Sequence, residues 1–213
     1  MGEIVSVQLA TPHQFRWQGR DVPTGIYKLP TSAEVGLEAA GIAGDFQADH
    51  TVHGGPTKAV YAYPAEHYLF WRDEYPGMDL PYGMFGENLT TAGLSESDLW
   101  IGDEYRAGTA LLRVVQPRQP CFKLGLKFGH QRVIRRFLES GRSGFYLAVA
   151  EPGRLRAGNK MILEQRGPEP VSIADLVAIA QKSAARDRLE RVVQAQAVLP
   201  SWRERARQLL AER

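Results

Sequence analysis

Short runs of apolar residues alternate with clusters of glycine, proline, asparagine and aspartate along the first 170 residues. Runs bounded in this way are typical of β-strands. We predict strands at residues 4–9, 59–63, 111–115, 145–150 and 161–164. Many short strands with glycine-rich connections favour a barrel or sandwich over alternating strand–helix–strand units. The first region is therefore predicted to be mainly β with some α.

Two segments of this region have helical periodicity instead. Residues 65–75 follow Pro64, and we place Pro64 at the first helical position, where its missing N–H is harmless. Residues 131–139 precede Gly141, a residue suited to ending a helix. The apolar face of this second helix would consist of Val133, Ile134, Phe137 and Leu138.

Glycine is absent from the last part of the chain. All 21 glycines lie at or before Gly167, and residues 171–213 contain a single proline, Pro200. We therefore predict a first domain at residues 1–167 and a second, helical domain at residues 171–213.

Three apolar stripes at helical spacing predict three short helices in the second domain. The stripes are Ile173, Leu176, Val177 and Ala180, then Leu189, Val192, Val193 and Ala197, then Trp202, Ala206, Leu209 and Leu210. We expect Ser172 to cap the first helix and Ser201 to form a capping box with Glu204 at the third.

A unit of about 40 residues buries little apolar surface alone, so we expect these helices to dock on the rest of the protein. They carry 8 basic and 5 acidic side chains, which would also suit a DNA-reading helix-turn-helix. A solvated basic face is the interpretation we favour, and we predict no nucleic-acid partner.

The composition is that of an ordinary globular protein. Of 213 residues, 44% are apolar and 23% charged, and the formal net charge of +2 makes no general case for nucleic acid or an anionic membrane. No window offers roughly 18 uninterrupted apolar residues, and the N-terminus lacks the pattern of a signal peptide. We expect a cytoplasmic protein with no membrane segment.

The single cysteine, Cys121, excludes an internal disulfide, a four-cysteine zinc site and a cysteine-ligated iron–sulfur cluster. It lies in the sequence Gln-Pro-Arg-Gln-Pro-Cys-Phe-Lys-Leu, which ends at Leu124, and the prolines predict a rigid turn. The neighbours Arg118 and Lys123 would lower the thiol pKa and favour a thiolate, which is both a nucleophile and a metal ligand. The alternative is an inert, half-buried thiol.

Residues 45–58 hold a second concentration of reactive side chains. His50 and His53, with Asp45 and Asp49 upstream, suggest a zinc site, although further ligands are not obvious. We favour anion binding by the segment from His53 through Gly54 and Gly55 to Lys58, where glycines expose backbone N–H groups. A purely structural turn remains the other interpretation.

Further polar candidates lie in glycine-containing loops, where ligand contacts concentrate. These are Lys28, Asn88 and Arg142. The sequence has neither the Gly-x-Gly-x-x-Gly pattern of a dinucleotide site nor the Gly-x-Ser-x-Gly pattern of a serine hydrolase. A nucleophilic pair of Cys121 with a histidine stays open.

Taken together, these motifs resemble MOSC-domain proteins of the YiiM family. The resemblance is carried by Val-His-Gly-Gly-Pro at residues 52–56, Phe-Gly-Glu-Asn-Leu-Thr at 85–90, the cysteine motif at 116–124 and Gly-Phe-Tyr at 144–146. It covers nearly the whole chain after about residue 20, and the tail resembles the three-helix domain of that family.

The resemblance implies a MOSC β-barrel that binds molybdenum cofactor, with Cys121 as molybdenum ligand and catalytic residue. The implied cofactor-binding residues are Lys28, His53, Gly54, Gly55, Lys58, Asn88, Arg118, Lys123 and Arg142. The implied reaction is reduction of small N-hydroxylated compounds, such as N-hydroxylaminopurine-type base analogues, with electrons from a separate donor protein. The tail would then contact the donor or form a homodimer. A non-catalytic carrier of cofactor or sulfur is the alternative.

Overall fold

The computed structural model describes residues 1–48 and 55–212. Within these ranges the chain forms thirteen strands and six α-helices. The strands are β1 (Gly2–Ala10), β2 (His13–Trp17), β3 (Arg20–Thr24), β4 (Lys28–Thr31), β5 (Val35–Glu38), β6 (Gly41–Ile42), β7 (Val60–Pro64), β8 (Leu89–Ala92), β9 (Glu104–Ala107), β10 (Ala110–Pro117), β11 (Phe145–Glu151), β12 (Gly153–Leu155) and β13 (Lys160–Gln165). The helices are α1 (His67–Glu74), α2 (Phe122–Lys127), α3 (Arg132–Ser140), α4 (Ile173–Ala180), α5 (Arg186–Gln194) and α6 (Pro200–Ala211).

Seven strands close into a barrel. Their order is β13, β9, β10, β11, β7, β8 and β1, and β1 also pairs with β13 to complete the ring. β4 extends the sheet beside β1, and two smaller sheets contain β12, β5 and β6, and β2 with β3. β7 and β8 run parallel, so a tight hairpin cannot join them, and the chain between them includes α1.

A β-bulge in β1 allows two apolar residues at irregular spacing to point into the core. Ile4 and Val7 are both fully buried although they are three residues apart, which regular alternation would not allow. The pairing of β1 with β8 shifts between Ile4 and Ser6. The extra residue turns the strand so that both apolar side chains enter the core.

The barrel confirms the predicted mainly-β fold with added helices. The five predicted strands correspond to β1, β7, β10, β11 and β13, and the predicted helix at residues 131–139 is α3. Gly141 ends α3 with φ of 69°, in the left-handed region that glycine adopts easily. The prediction for Pro64 was wrong. Pro64 is the last residue of β7 and pairs with Thr91, and α1 begins at His67.

The tail forms the three predicted helices. Ser172 caps α4 as expected: its hydroxyl accepts from the Asp175 N–H at 3.1 Å, and the Asp175 carboxylate accepts from the Ser172 N–H at 2.8 Å. The predicted capping box of Ser201 and Glu204 is wrong, because α6 begins earlier, with Leu199 as N-cap and Pro200 at the start. Ala197, predicted for the second helix, lies beyond the end of α5.

One continuous cluster of buried apolar side chains joins the barrel and the tail. It includes Leu112 and Leu147 from the barrel and Leu176, Leu189 and Trp202 from the three tail helices. This packing confirms that the tail docks on the rest of the protein. The domain boundary between residues 167 and 171 stays a prediction.

A second cluster packs α1 and α3 beside the barrel. It is rich in aromatic rings and includes Trp71, Phe85 and Phe137, each at most 1% exposed.

Among the helices of the described ranges, none combines the length and apolar character needed to cross a membrane.

Because barrel and tail share a core, damage to one should destabilise both. Leu176 is fully buried in α4, and Leu176→Ala should lower the free energy of unfolding by about 2–5 kcal/mol. Urea unfolding followed by circular dichroism and by tryptophan fluorescence should show one common transition. Leu69→Ala, at a leucine 64% exposed on α1, is the control and should change stability little. Separate transitions for the two signals would contradict a shared core.

Candidate functional site

Cys121 lies at the junction between β10 and α2. Pro117 and Pro120 disfavour helical backbone in the residues before them, so the chain stays extended after β10 and α2 starts only after Cys121. Cys121 is the N-cap residue, with φ and ψ of −120° and 169°. Its thiol is half-buried. The sequence predicted a rigid turn here and missed the short helix that follows.

An inner cavity of about 90 Å³ opens beside this cysteine. Cys121 and five of the nine residues predicted to bind the cofactor line it together: Lys28, Lys58, Asn88, Arg118 and Lys123. These side chains come from segments far apart in the sequence. The barrel therefore gathers a thiol and four cations around one space.

Asp45 holds Lys28 in place. The Lys28 Nζ lies 2.6 Å from both carboxylate oxygens of Asp45, and the two side chains are 7% and 1% exposed. The same carboxylate accepts from the Asn88 amide and from the Ala10 N–H, each at 2.8 Å. Burial lowers the Lys28 pKa, while Asp45 acts in the opposite direction and favours the charged form.

Arg118 is buried beneath the cavity. Its guanidinium donates to the Phe85 carbonyl and lies 4.8 Å from the centre of the Tyr61 ring. Burial alone disfavours the charged guanidinium, but interactions with Tyr61, Tyr146 and Cys121 outweigh it and raise the Arg118 pKa. A fixed positive charge therefore acts on the cysteine from within the protein.

Two further lysines are oriented by backbone carbonyls. Lys123 Nζ donates to the Pro23 carbonyl at 3.0 Å. Lys127, which the sequence analysis did not select, donates to the carbonyls of Gly83 and Ile26 at 2.6 and 3.1 Å. Burial lowers the pKa of Lys127 to about 8. The charge of Glu87 opposes this shift, and the positive charges of Arg118 and Lys28 add to it.

Close backbone packing shapes the same cavity. A Cβ at Gly25 would lie 2.1 Å from the carbonyl oxygen of Phe46, so only glycine allows these two cavity-lining segments to approach.

An outer cavity of about 430 Å³ adjoins the inner one. Cys121, Lys58 and Tyr146 line both. The far wall of the outer cavity is α6, which contributes Ser201, Trp202 and Arg205. Trp202 is fixed by a hydrogen bond from its Nε1 to Gln116 Oε1 at 3.2 Å.

Other predicted site residues lie elsewhere. Arg142 packs its guanidinium 3.9 Å from the centre of the Phe70 ring, away from both cavities. Gly55 precedes a short 3₁₀ turn, Pro56–Lys58, and its carbonyl accepts from the Lys58 N–H at 3.0 Å.

The predicted residues His53 and Gly54 lie outside the described ranges, as do Asp49 and His50 of the zinc hypothesis. Within residues 1–48 and 55–212, no three histidine, cysteine or carboxylate side chains group as a metal site would require.

The sequence assigned no role in the site to Asp45, Tyr61, Tyr146 or Arg205. Asp45 and Tyr146 belong to the family-like motifs, but neither was predicted to contact the site. The two tyrosines belong to apolar strands and carry no polar-loop signal. Arg205 was counted as part of a solvated basic face.

Comparison with known families agrees with this arrangement. The model of the MOSC domain matches residues 49–162, so the chain belongs to the MOSC-domain proteins, a family associated with molybdenum cofactor binding. A crystal structure of YiiM from Geobacillus stearothermophilus superposes with a TM-score of 0.80, at 34% identity over 99% of this chain and 100% of that one. Within the family, the chain is therefore a YiiM-like protein, as the sequence motifs predicted.

Two relatives extend the comparison. YflK of Bacillus subtilis is 40% identical over 201 residues, which span 94% of this chain and 90% of YflK. A protein of Gibberella moniliformis named reductase is 37% identical over 151 residues, which cover 70% of this chain and 27% of that protein.

Asp45→Asn should destabilise the protein strongly, because it removes the carboxylate that pairs directly with the buried Lys28. We expect a loss of about 3–5 kcal/mol in the free energy of unfolding, measured in urea at pH 7. Glu34→Gln is the control, since Glu34 pairs with Arg154 at the exposed surface. A comparable loss in both variants would show that Asp45 has no special role.

Lys127 should titrate near pH 8, well below an ordinary lysine. The unfolded chain then binds more protons than the folded one between about pH 8 and 10.5, so the contribution of Lys127 to stability rises with pH across that window. Carbon-13 NMR of labelled lysine ε-carbons measures the midpoint, and Lys127→Arg assigns the signal. A midpoint above 10 would contradict the burial argument.

Proposed function

We propose that this protein is a molybdenum-cofactor-dependent oxidoreductase that reduces N-hydroxylated compounds. The observation that supports this most is the half-buried Cys121 between two cavities, with the buried cations Lys28 and Arg118 behind it, in a chain of the MOSC family. A single thiol backed by fixed positive charge is a suitable soft metal ligand.

The residues present fit this cofactor. The Cys121 thiolate would ligate the molybdenum, and the two adjoining cavities together would hold the pterin, with cationic side chains at its phosphate and polar edges. These cations are Lys28, Lys58, Arg118 and Lys123, with the Asn88 amide beside them. Gly25 and Phe46 form a close-packed part of the wall in which a larger residue would not fit.

When bound, the cofactor supplies two-electron redox chemistry, and the protein orients it. The overall reaction breaks the N–O bond: R–NHOH, two electrons and two protons give R–NH₂ and water. The chain's own contribution would be to place the Arg118 charge beside the Cys121 sulfur and to position Lys28 through Asp45.

The two electrons must come from outside this chain. Its single cysteine excludes a cysteine-ligated iron–sulfur cluster, and its sequence has no dinucleotide-binding pattern. The relative named reductase supports reductive chemistry, in which a partner must supply the electrons. We propose that an independent electron-donor protein performs that role here.

A non-catalytic carrier of cofactor or sulfur is the second candidate. The partial exposure of Cys121 favours it, since a carrier thiol must reach its partner. Such a carrier would bind molybdenum but would not reduce hydroxylamines with any electron source.

Cys121→Ala should abolish most molybdenum binding. Protein purified from a cofactor-producing host should contain near-stoichiometric metal by mass spectrometry, and the variant should lose at least about tenfold, because the thiolate is the proposed ligand. Ser97→Ala, at an exposed serine outside both cavities, is the matched control and should load normally.

Equal loading of wild type and Cys121→Ala would exclude Cys121 as the essential ligand. Loaded wild type is then assayed with N-hydroxyadenine and a chemically reduced viologen dye. Turnover supports the reductase, whereas a loaded but inactive protein supports the carrier.

A further inference from the structure

The segment Phe-Gly-Glu-Asn at residues 85–88 forms part of the wall of the inner cavity. Gly86 and Asn88 line the cavity, whereas Glu87 between them is fully buried and lines neither cavity. Burial of a carboxylate is costly unless hydrogen bonds or opposite charges compensate for its lost hydration. The partners of Glu87 therefore indicate what this carboxylate does.

Glu87 accepts hydrogen bonds from four uncharged donors. Its Oε1 accepts from the Gly83 N–H at 2.7 Å, from the Thr90 hydroxyl at 3.2 Å and from the Tyr68 hydroxyl. Its Oε2 accepts from the Phe85 N–H at 3.1 Å. Burial and the charge of Glu87 raise the pKa of Tyr68, so this hydroxyl keeps its proton and remains a donor. The carboxylate thereby fixes the loop that precedes it at two backbone positions.

The same two loop residues hold two cations. The Gly83 carbonyl accepts from Lys127 Nζ at 2.6 Å, and the Phe85 carbonyl accepts from the Arg118 guanidinium. A bond at the N–H restricts the direction of the same residue's carbonyl, because each residue has only two soft backbone dihedrals. The bonds to Glu87 therefore help to set where the acceptors of both cations point.

The charge of Glu87 also acts on the cations. It favours the charged forms of Lys28 and Lys127 and so opposes the lowering of their pKa by burial. Glutamine would reproduce neither effect, since it is neutral and has a single carbonyl oxygen. Its amide NH₂ would face one of the two backbone N–H donors.

We infer that Glu87 is a positioning residue for the candidate site. It holds the loop so that two of the loop's carbonyls orient Arg118 and Lys127. This inference rests on the proposed function, in which Arg118 is one of the cations around the cofactor. It deepens that function by giving a role to a side chain that acts on the site only through the loop and through its charge.

Glu87→Gln tests this inference in the full-length protein by NMR. The exchange of the Arg118 guanidinium protons with solvent should become about tenfold faster, because the Phe85 carbonyl is no longer held in place. The midpoint of Lys127 should fall below that of wild type, since the variant removes a negative charge that favours the ammonium. Arg118→Lys and Lys127→Arg assign the signals.

Asp103→Asn is the matched control for the loss of a buried carboxylate. Asp103 is fully buried and accepts from the N–H groups of Gly167 and Trp100 at 2.8 and 3.0 Å, but it lines neither cavity. This variant should also lose stability while leaving the exchange of Arg118 and the midpoint of Lys127 unchanged. Equal changes in both variants would indicate general loosening of the fold and would overturn the inference.

Glu87→Asp separates position from charge, and it carries the test if Glu87→Gln does not fold. The shorter side chain keeps the charge but should not reach both backbone N–H groups. The exchange of Arg118 should again become about tenfold faster. The midpoint of Lys127 should stay near that of wild type, at about pH 8.

Molybdenum content connects the inference with the proposed function. Glu87→Gln should lose at least about tenfold of its metal, as expected for a residue that orients the groups around a cofactor, and Asp103→Asn should load normally. Unchanged exchange of Arg118 in the Glu87 variants would overturn the inference, and so would full loading of Glu87→Gln. If Arg118 and Lys127 responded as expected but loaded wild type reduced no N-hydroxylated compound, the positioning role would stand and the proposed reductase would fail.

Discussion

The buried carboxylate of Asp45 connects the separate parts of the candidate site. It bonds to the Ala10 N–H at the end of β1, to the Lys28 ammonium at the start of β4 and to the Asn88 amide before β8. A lysine at this depth would be unstable as a cation without such a partner. With it, the barrel can keep positive charge next to Cys121, and the other cations of the cavity add to a field that is already present.

Two other cations of the inner cavity are held in a different way. Arg118 and Lys123 donate to backbone carbonyls. A carbonyl satisfies the hydrogen-bond donor but does not neutralise the positive charge. A ligand that brings negative charge would add a favourable interaction with these buried cations. The phosphate of the proposed cofactor would supply such a charge.

The strands and helices that the sequence predicted are those whose pattern of apolar and polar residues is visible within the element itself. Strands such as β10 and β11 are apolar runs between turn residues, and α3 has a clear stripe and a terminal glycine. The hairpin of β2 and β3 was missed because most of its residues are polar and exposed, and α2 because six residues show too little periodicity. The cations of the inner cavity were identified through glycine loops and family motifs. Asp45 was not paired with Lys28, because a sequence does not show which cation a carboxylate meets in the folded barrel.

For the tail, the sequence predicted the helices but not their position on the barrel. Its helices were predicted from their stripes, but the stripes do not reveal which surface they cover. In the structure, Trp202 packs into the core shared with the barrel and bonds to Gln116, five residues before Cys121. The shared core and this contact hold α6 at the edge of the site. Arg205, one of several basic residues of the tail, therefore becomes part of the wall beside the cysteine. The core that the tail shares with the barrel holds the tail in position. A change that loosens this core would therefore also change the shape of the outer cavity.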